Sequence, residues 1–316
     1  MFGRVKLGLA LGAGGARGLA HIGVLKALEK AGIKISYLSG SSIGALVGGV
    51  YACFLNSTEL ENRLQTFLQS ELFHRTGLEI MKEVFYDKPE SLSQRVETFL
   101  KKAYVQTLMV TRPAILETKT FRAMIDACVP DVNIEDLPLP FCAVSTDLKS
   151  GRPVLFRSGP LREAVLASAS IPGAVGPFPL NNLLLVDGGV LNRVPVIPLF
   201  QMGAEVTVSV DVEMDRVVEE DVEYKRGINI LFRAEDIEAY VLKEVQLNEA
   251  HLVLRPDVGH IHWSDFSATA EMIRLGQDEV YDHLDEIRRL ARQHNWPFKR
   301  RQKSTPLQTA LNWIEI

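Results

Sequence analysis

A serine held between two glycines is the feature of this sequence that most directly points to chemistry. The letters GSSIG at residues 40–44 fit the pattern G-x-S-x-G, in which a sharp turn from strand to helix lifts a serine hydroxyl above a sheet. Gly40 and Gly44 leave the cramped turn free of side chains, and the start of a helix favours negative charge on the oxygen of Ser42. We therefore predict Ser42 as a nucleophile, with a plain turn and a helix-capping serine as the alternative.

A second glycine cluster, GAGGARG at residues 12–18, follows the first apolar run of the chain. If the strand before it lies beside the strand that leads to the serine, the backbone N–H groups of Gly14 and Gly15 can hold the oxyanion of an ester under attack. Gly18 belongs to the same supporting loop. A dinucleotide-binding loop is disfavoured, because G-x-G-x-x-G needs glycine where Arg17 stands. Arg17 can brace this loop or offer charge to an anionic head group, with an ordinary surface or backbone-bridging arginine as the alternative.

Asp187 is the predicted proton acceptor for Ser42. It ends a short apolar run and is followed by Gly188 and a further glycine, and sites in open α/β sheets form where strands end. An aspartate with the reference pKa of ~3.9 is a weak base, so this carboxyl group must be partly desolvated and close to Ser42. An Asp-Gly turn without a catalytic role is the alternative.

A histidine-dependent mechanism is a second enzymatic alternative. The chain has seven histidines, and none lies in an obvious triad motif. His251, His260 and His262 nevertheless follow the aspartate in the order Ser, Asp, His of an α/β-hydrolase triad. Only one strand-helix unit precedes Ser42, which leaves little room for the strands that such a hydrolase places before its nucleophile. We therefore favour the serine and the aspartate alone.

The elements that must position these residues alternate between strand and helix. Two strand-turn-helix units open the chain, with apolar runs at 5–11 and 35–39 and helical spacing at 21–30 and 43–54. Further predicted strands cover residues 140–146, 153–156, 183–186, 205–212 and 251–254, and further predicted helices cover 161–168, 231–250 and 267–293. This alternation predicts an α/β fold whose central sheet is mostly parallel.

We predict one catalytic unit over residues 1–295, because a single large sheet can account for all of these strands. Residues 58–128 are more polar and show helical spacing, and we interpret them as a helical insertion or cover. Phe73, Val84 and Phe85 in this segment are candidates to line an acyl groove.

The C-terminal tail, residues 296–316, is basic at first and then amphipathic. Residues 288–303 carry seven Arg or Lys and no Asp or Glu, and the apolar residues Trp313 and Ile314 lie near the end. Such a tail can contact anionic lipid, dock on the catalytic unit or join a second copy in a homo-oligomer. We favour docking on the catalytic unit or a contact with a second copy over peripheral membrane contact.

The bulk composition narrows the class of protein. Apolar residues make up 47% and charged residues 23% of the 316 residues, too polar for a multi-span membrane protein. The net charge of −4 provides no basic field, so a nucleic-acid partner is not expected. Cys53, Cys128 and Cys142 lack C-x-x-C spacing, which predicts a reducing compartment and no metal site. Glycines interrupt the apolar run at 7–13, which favours a cytoplasmic protein, or one peripheral to the inner membrane surface, over an exported one.

Four blocks of the sequence together resemble the patatin-like phospholipase family in its small bacterial form. They are GGARGLAHIGVL at residues 14–25, GSSIG at 40–44, ASASIP at 167–172 and DGG at 187–189. They occur in the family's order, and the resemblance extends over residues 6–294.

The resemblance implies three α/β/α layers and a Ser42–Asp187 dyad without histidine. It further implies that phospholipid or another acyl-ester lipid is hydrolysed through an acyl-enzyme, with no metal and no cofactor. Family members commonly begin the oxyanion loop with three glycines, whereas this chain has Ala13 at the first of those three positions. The alanine backbone is strained if this position needs a positive φ. A protein of this fold that binds lipid without hydrolysing it is the remaining alternative.

Overall fold

The computed structural model describes residues 5–74, 114–213, 227–292 and 313–316. Its strands are β1 (Leu7–Leu11), β2 (Tyr37–Ser41), β3 (Ala114–Leu116), β4 (Phe141–Asp147), β5 (Arg152–Phe156), β6 (Gly173–Val175), β7 (Phe178–Leu180), β8 (Leu183–Asp187), β9 (Val206–Val210), β10 (Leu252–Leu254) and β11 (Ile314–Glu315). Its helices are α1 (Ala20–Lys30), α2 (Ile43–Phe54), α3 (Ser57–Leu68), α4 (Glu71–His74), α5 (Thr118–Cys128), α6 (Leu161–Ser168), α7 (Val196–Met202), α8 (Gly227–Leu247), α9 (Thr269–Asp282) and α10 (Leu284–Arg292).

Most of the strands form one sheet, in the order β10-β9-β1-β2-β4-β5-β11. β1 pairs in parallel with β2 and β9, β9 pairs in parallel with β10, and β2 pairs in parallel with β4. β5 runs antiparallel to β4 and forms a hairpin with it. The predicted α/β fold with a mostly parallel central sheet is confirmed.

Helices cover both faces of this sheet. Leu7, Leu9 and Leu11 of β1 pack into the main core together with the apolar residues of α1 and α2. Ala10 packs on the opposite face, against Leu199 of α7. Successive side chains of a strand point to opposite faces, so the sheet lies between two helical layers. These are the α/β/α layers that the resemblance implied.

Strand β4 brings the ends of two other strands together. One edge of β4 pairs first with β2, where Ser41 lies opposite Val144, and then with β8, where Asp187 lies opposite Ser145. β2 runs parallel to β4 and β8 runs antiparallel to it, so β2 and β8 approach each other end to end. The turn after β2 holds Ser42, and the strand pairing alone therefore brings this serine to Asp187.

Several elements differ from their predicted form. β2 ends at Ser41 instead of residue 39, and the helix predicted at 267–293 is divided at His283 into α9 and α10. The predicted helical insertion or cover, residues 58–128, contains α3, α4 and α5 but also β3, which pairs with β6, so its described part is not helical throughout. The short strands β6 and β7 and the helix α7 were not predicted.

The chain end is described from residue 313 onward. β11 pairs in parallel with β5, with Ile314 opposite Val154, and Arg152 Nη2 donates a hydrogen bond to the Trp313 carbonyl oxygen at 3.0 Å. The end of the tail thus docks on the sheet, whereas the rest of the predicted tail, residues 296–312, lies outside the described part. Among the described helices, none combines the length and the hydropathy of a membrane span.

Candidate active site

Ser42 occupies an unusual backbone conformation in the turn between β2 and α2. Its φ is 55° and its ψ is −123°, a region that residues with side chains rarely adopt. A Cβ atom on Gly40 would overlap the Gly44 carbonyl oxygen, and one on Gly44 would overlap that of Leu11. Close backbone packing thus requires both glycines. Within the described structure the Ser42 hydroxyl makes no capping hydrogen bond to α2, so the alternative of a helix-capping serine is wrong.

The carboxyl group of Asp187 is buried and held on one side. Its Oδ1 accepts a hydrogen bond from the Gly189 N–H group at 2.7 Å, and its own N–H group donates to the Ser170 carbonyl oxygen at 2.8 Å. Oδ2 is buried and has no hydrogen-bond partner among the described residues. The Asp-Gly turn therefore exists, and it fixes one carboxyl oxygen while the other stays available.

Burial raises the pKa of Asp187 to about 6. The Ser42 hydroxyl, the Gly189 N–H group and the Arg193 guanidinium lower this pKa, and the Glu213 carboxyl group raises it. The Ser42 hydroxyl thus lies within electrostatic reach of Asp187, although no regular hydrogen bond joins it to Oδ2 in the described structure. An acid with this pKa is mostly ionised at pH 7, so the carboxylate can accept a proton.

The glycine loop after β1 is tied down on both sides. The Ala13 N–H group donates to the Arg193 carbonyl oxygen at 2.8 Å, and the Ala16 N–H group donates to the Trp263 carbonyl oxygen at 2.6 Å. Gly15 has a φ of 59°, and a Cβ atom there would overlap the same Trp263 oxygen. Ala13 is not among the residues with positive φ, so the alanine in the first place of the loop is not strained.

The predicted oxyanion donors lie at the same cleft as the two predicted reacting groups. Gly14, Gly15, Ser42 and Asp187 all border a cleft of about 790 Å³, which we call the polar cleft because charged residues such as Arg193, Glu213 and Lys243 line it beside apolar ones. The N–H groups of Gly14 and Gly15 lie between two amides of the loop that are already bonded to carbonyl oxygens. A loop held in this way can present N–H groups to an oxyanion without reorganising.

Other residues predicted to support the site have identifiable packing roles. Arg17 is buried, and its Nε donates to the Ile261 carbonyl oxygen at 2.7 Å, which braces the loop; its side chain also borders the polar cleft. A Cβ atom on Gly18 would overlap the Ile43 side chain, and one on Gly188 would overlap a carbonyl oxygen of β4. Both glycines therefore permit close contacts between the loops and the elements that carry the predicted reacting groups.

A second cavity, of about 140 Å³, is apolar and meets the polar cleft at Ser42. Gly15, Ile171 and Trp263 also border both spaces. The apolar walls include the side chains of Leu46, Phe67, Phe73, Phe121, Met124 and Phe266. Phe73, a predicted acyl-groove residue, is thus part of this cavity, whereas Val84 and Phe85 lie outside the described residues.

Two serines that the sequence did not single out connect Ser42 and Asp187, the two predicted reacting residues. The Ser42 N–H group donates to Ser168 Oγ at 3.0 Å, at the end of α6. Two residues further on, the Ser170 carbonyl oxygen accepts from the Asp187 N–H group at 2.8 Å. The block ASASIP therefore holds both backbones at once. Its similarity to the family pattern was visible in the sequence, but its partners were not.

His21 is a further residue whose role the sequence did not reveal. It is fully buried in α1, and its Nε2 lies 2.8 Å from the carbonyl oxygen of Gly12. Burial lowers the pKa of His21 to about 4, so the ring is neutral at pH 7 and can donate from Nε2 to the glycine loop. The position of His21 on the helix directly after the glycine loop was the one feature of the sequence that could have indicated this role.

The three histidines of the alternative triad lie in different places. His251 Nδ1 lies 3.1 Å from Thr207 Oγ1, and the exposed His260 lies 3.2 Å from Glu271. His262 borders the polar cleft, where its Nδ1 lies 2.8 Å from Ser264 Oγ. None of the described histidines is among the groups that shift the pKa of Asp187.

Side chains that bind metals do not cluster in the part of the chain that the structure describes: no group of three or more His, Cys, Asp or Glu could hold an ion there.

Comparison with known proteins identifies relatives of this chain. Residues 9–200 match the family model described as patatin-like phospholipase. An uncharacterised NTE family protein from Mycobacterium bovis is 37% identical over 205 residues, which are 65% of this chain and 48% of the relative. Human patatin-like phospholipase domain-containing protein 6 is 32% identical over 208 residues, which are 65% of this chain and 13% of that protein. The chain thus spans half or less of the length of these relatives.

Solved structures that match this chain share little sequence with it. VipD from Legionella pneumophila is 13% identical with a TM-score of 0.48, covering 90% of this chain and 67% of that chain. Human GIVD cytosolic phospholipase A2, in complex with methyl gamma-linolenyl fluorophosphonate, is 14% identical with a TM-score of 0.38, covering 91% of this chain and 59% of that chain.

Proposed function

Because this chain belongs to the patatin-like phospholipase family, we propose that it hydrolyses acyl esters of lipids, with Ser42 as nucleophile and Asp187 as general base. The observation that carries the proposal is the position of Ser42 where an apolar cavity meets a polar cleft. A fatty-acid ester has an apolar chain and a polar alcohol on opposite sides of its carbonyl carbon. Phospholipid fits this division, with the chain in the apolar cavity and the head group in the cleft.

In the proposed acylation step, Ser42 Oγ attacks the ester carbonyl carbon and Asp187 Oδ2 takes the hydroxyl proton. The N–H groups of Gly14 and Gly15 stabilise the negative oxygen of the tetrahedral intermediate. The bond to the alcohol then breaks, and the departing oxygen takes the proton from Asp187. The fatty acyl group remains bound to Ser42.

In the proposed deacylation step, a water molecule replaces the alcohol in the polar cleft. Asp187 takes a proton from this water while the water oxygen attacks the acyl carbon. The N–H groups of Gly14 and Gly15 stabilise the second oxyanion. The bond to Ser42 Oγ breaks, the proton returns to the serine, and the fatty acid leaves. Asp187 thus serves as the base in both halves of the reaction.

Labelling with a fluorophosphonate probe tests the nucleophile directly. We expect the wild type to be labelled and Ser42→Ala to be neither labelled nor active, with a loss of hydrolysis of about 10³-fold or more. His262→Ala is the matched control, because this residue borders the same cleft. It should keep labelling and most of the activity if Asp187 alone is the base.

The same variants separate the alternatives. A loss of hydrolysis in His262→Ala as large as that in Asp187→Asn would indicate a Ser-Asp-His triad. A wild type that binds phospholipid but releases no fatty acid, tested on esters of several chain lengths, would indicate a lipid-binding protein of the same fold. Labelling that persists in Ser42→Ala would place the nucleophile elsewhere.

A further inference from the structure

Helix α8 carries a continuous apolar seam on its exposed side. Ile230, Ile237, Val241 and Val245 are 53%, 48%, 55% and 43% exposed, and Ala234 is exposed between them. The successive spacings are four, three, four and four residues, which keep these side chains on one face of a helix. Such spacing is typical of helices that pair with another helix.

The opposite side of α8 holds the helix to the rest of the protein. Lys243, Gln246 and Leu247 are buried, and Lys243 Nζ lies 2.9 Å from Asp211 Oδ2. Gln246 Nε2 donates to the Leu191 carbonyl oxygen at 2.6 Å. The seam is therefore not the core-facing side of the helix. A contiguous exposed apolar surface of this kind marks an interaction site.

We infer that a second copy of this chain covers the seam, with the two α8 helices antiparallel around a two-fold axis at Ile237. The seam is nearly the same when read in either direction from that residue. Ala234 and Val241 lie three and four positions away, and Ile230 and Val245 lie seven and eight positions away. A reversed copy thus places Ile230 opposite Val245, Ala234 opposite Val241, and Ile237 opposite itself, as an isologous contact requires.

Charges beside the seam favour this register. Arg233 and Glu244 lie on the same flank of the helix, four positions before and seven positions after Ile237. In an antiparallel pair the same flanks of the two helices meet. Arg233 of each copy therefore approaches Glu244 of the other, which gives two equivalent ion pairs. Glu244 already accepts a hydrogen bond from Arg255 at 3.0 Å, and the second arginine adds to this pair.

An acidic residue beside the seam favours protein over an anionic lipid surface. Glu238 is exposed at the edge between the seam and the polar cleft, whereas Glu235 and Asp236 border the cleft and lie away from the seam. Glu238 lies one position from the two-fold axis, so the pairing brings it beside Glu238 of the second copy. Like charges at such positions weaken a helix pair, and neutralising Glu238 should therefore tighten it.

The pairing would also support the site. Tyr240, Leu242 and Lys243 of α8 border the polar cleft that contains Ser42. The helix thus forms one wall of the cleft with its inner side and the contact between copies with its outer side. A second copy would hold this wall in place.

Light scattering after size exclusion, and sedimentation equilibrium, measure the pairing. We expect the wild type to approach about twice the chain mass of 35.2 kDa as concentration rises. Ile237→Glu should weaken the dimer more than about 100-fold, because it places two charges in an apolar contact. Glu238→Gln should tighten it about twofold at low salt. Leu148→Glu is the matched control, since Leu148 is 50% exposed and lies outside α8.

Oxidation with copper phenanthroline of variants that each carry one added cysteine tests the direction of the helices. Ile237→Cys should form a covalent dimer, because the two sulfur atoms meet at the axis. Ala234→Cys alone should not, but a mixture of Ala234→Cys and Val241→Cys should. Wild type, with its own cysteines, is the background.

Several results would overturn the inferred pairing. They are a wild type that stays monomeric, a dimer that Ile237→Glu leaves intact, and an Ala234→Cys protein that cross-links to itself as a parallel pair would. A monomer that binds phosphatidylcholine vesicles, and loses this binding in Ile237→Glu, would assign the seam to a lipid surface instead.

Discussion

The pKa of the Asp187 carboxyl group sets the pH range in which the proposed reaction can run. Burial raises this pKa to about 6, and only the ionised form can take a proton from Ser42. The burial that makes Asp187 a stronger base therefore also brings its titration close to neutral pH. An aspartate with an ordinary pKa would stay ionised in more acidic solution but would accept the proton less readily.

We expect kcat/KM for an uncharged, water-soluble acyl ester to fall about tenfold per pH unit below a pH of about 6. Arg193→Gln should move this acidic limb to higher pH, because the guanidinium lowers the pKa of Asp187. Glu213→Gln should move it to lower pH, because the Glu213 carboxyl group raises that pKa. Arg193 and Glu213 form an ion pair, so the opposite direction of the two shifts is the decisive result. A rate that is constant down to pH 5 would contradict the assignment of Asp187 as the base.

The proposed reacting residues were predictable because glycines mark the turns that carry them. Gly40 is required by a contact within its own turn, whereas Gly44 and Gly188 are required by close contacts with carbonyl oxygens of β1 and β4, and all three leave a short pattern in the sequence. Ser168 was not predictable in this way. It accepts a hydrogen bond from the Ser42 N–H group across 126 positions of the chain, and an isolated serine carries no sign of such a distant partner.

At the scale of elements, much of the order of strands and helices followed from the sequence, but β3, β6, β7 and α7 did not, and neither did the direction in which β8 pairs. The apolar run predicted β8 and its end at Asp187, but an apolar run contains no information on whether the strand runs parallel or antiparallel to its neighbour. The antiparallel approach of β8 to β4 depends on residues far apart in the chain. Similarly, periodicity continues through His283, where the structure divides one predicted helix into α9 and α10. Local patterns thus predict which elements exist better than where they end or what they contact.

The contact between α2 and β1 should couple stability to activity. A Cβ atom on Gly44 would overlap the Leu11 carbonyl oxygen, so Gly44→Ala must push the end of β1 and its glycine loop away from Ser42. We expect a loss of about 3 kcal/mol in unfolding free energy, and a decrease in kcat/KM of about 100-fold, since small displacements of reacting groups are costly. Urea unfolding and ester hydrolysis measure the two effects.

Gly227→Ala is the matched control for this substitution. A Cβ atom there has no neighbour within 4 Å among the described residues, so its effect should stay within about 0.5 kcal/mol. If Gly44→Ala were as stable and as active as Gly227→Ala, the close packing of α2 on β1 would have no part in placing the site.

At the scale of the whole molecule, two buried groups make stability depend on pH in opposite directions. His21 has a pKa of about 4 in the folded protein and an ordinary value of 6.5, so the unfolded chain binds an extra proton between these values. Stability therefore falls as pH decreases from 6.5 to 4, by ~3 kcal/mol. Asp187 has a folded pKa of about 6 and an ordinary value of 3.8, so here the folded protein binds the extra proton. Its contribution falls as pH rises from 3.8 to 6, also by ~3 kcal/mol.

Replacing Asp187 by asparagine should separate these two contributions. Asparagine keeps an oxygen that can accept from the Gly189 N–H group but cannot ionise, so the cost of a buried charge disappears. We expect Asp187→Asn to have nearly the wild-type unfolding free energy at pH 4 and to exceed it by up to ~3 kcal/mol at pH 7. Guanidinium unfolding of both proteins at steps between pH 4 and 8 measures this difference. His21 and all other groups are common to the two proteins, so they cancel. A difference that does not change with pH would show that Asp187 titrates alike in the folded and unfolded chain, and its raised pKa could then not be the source of its basicity.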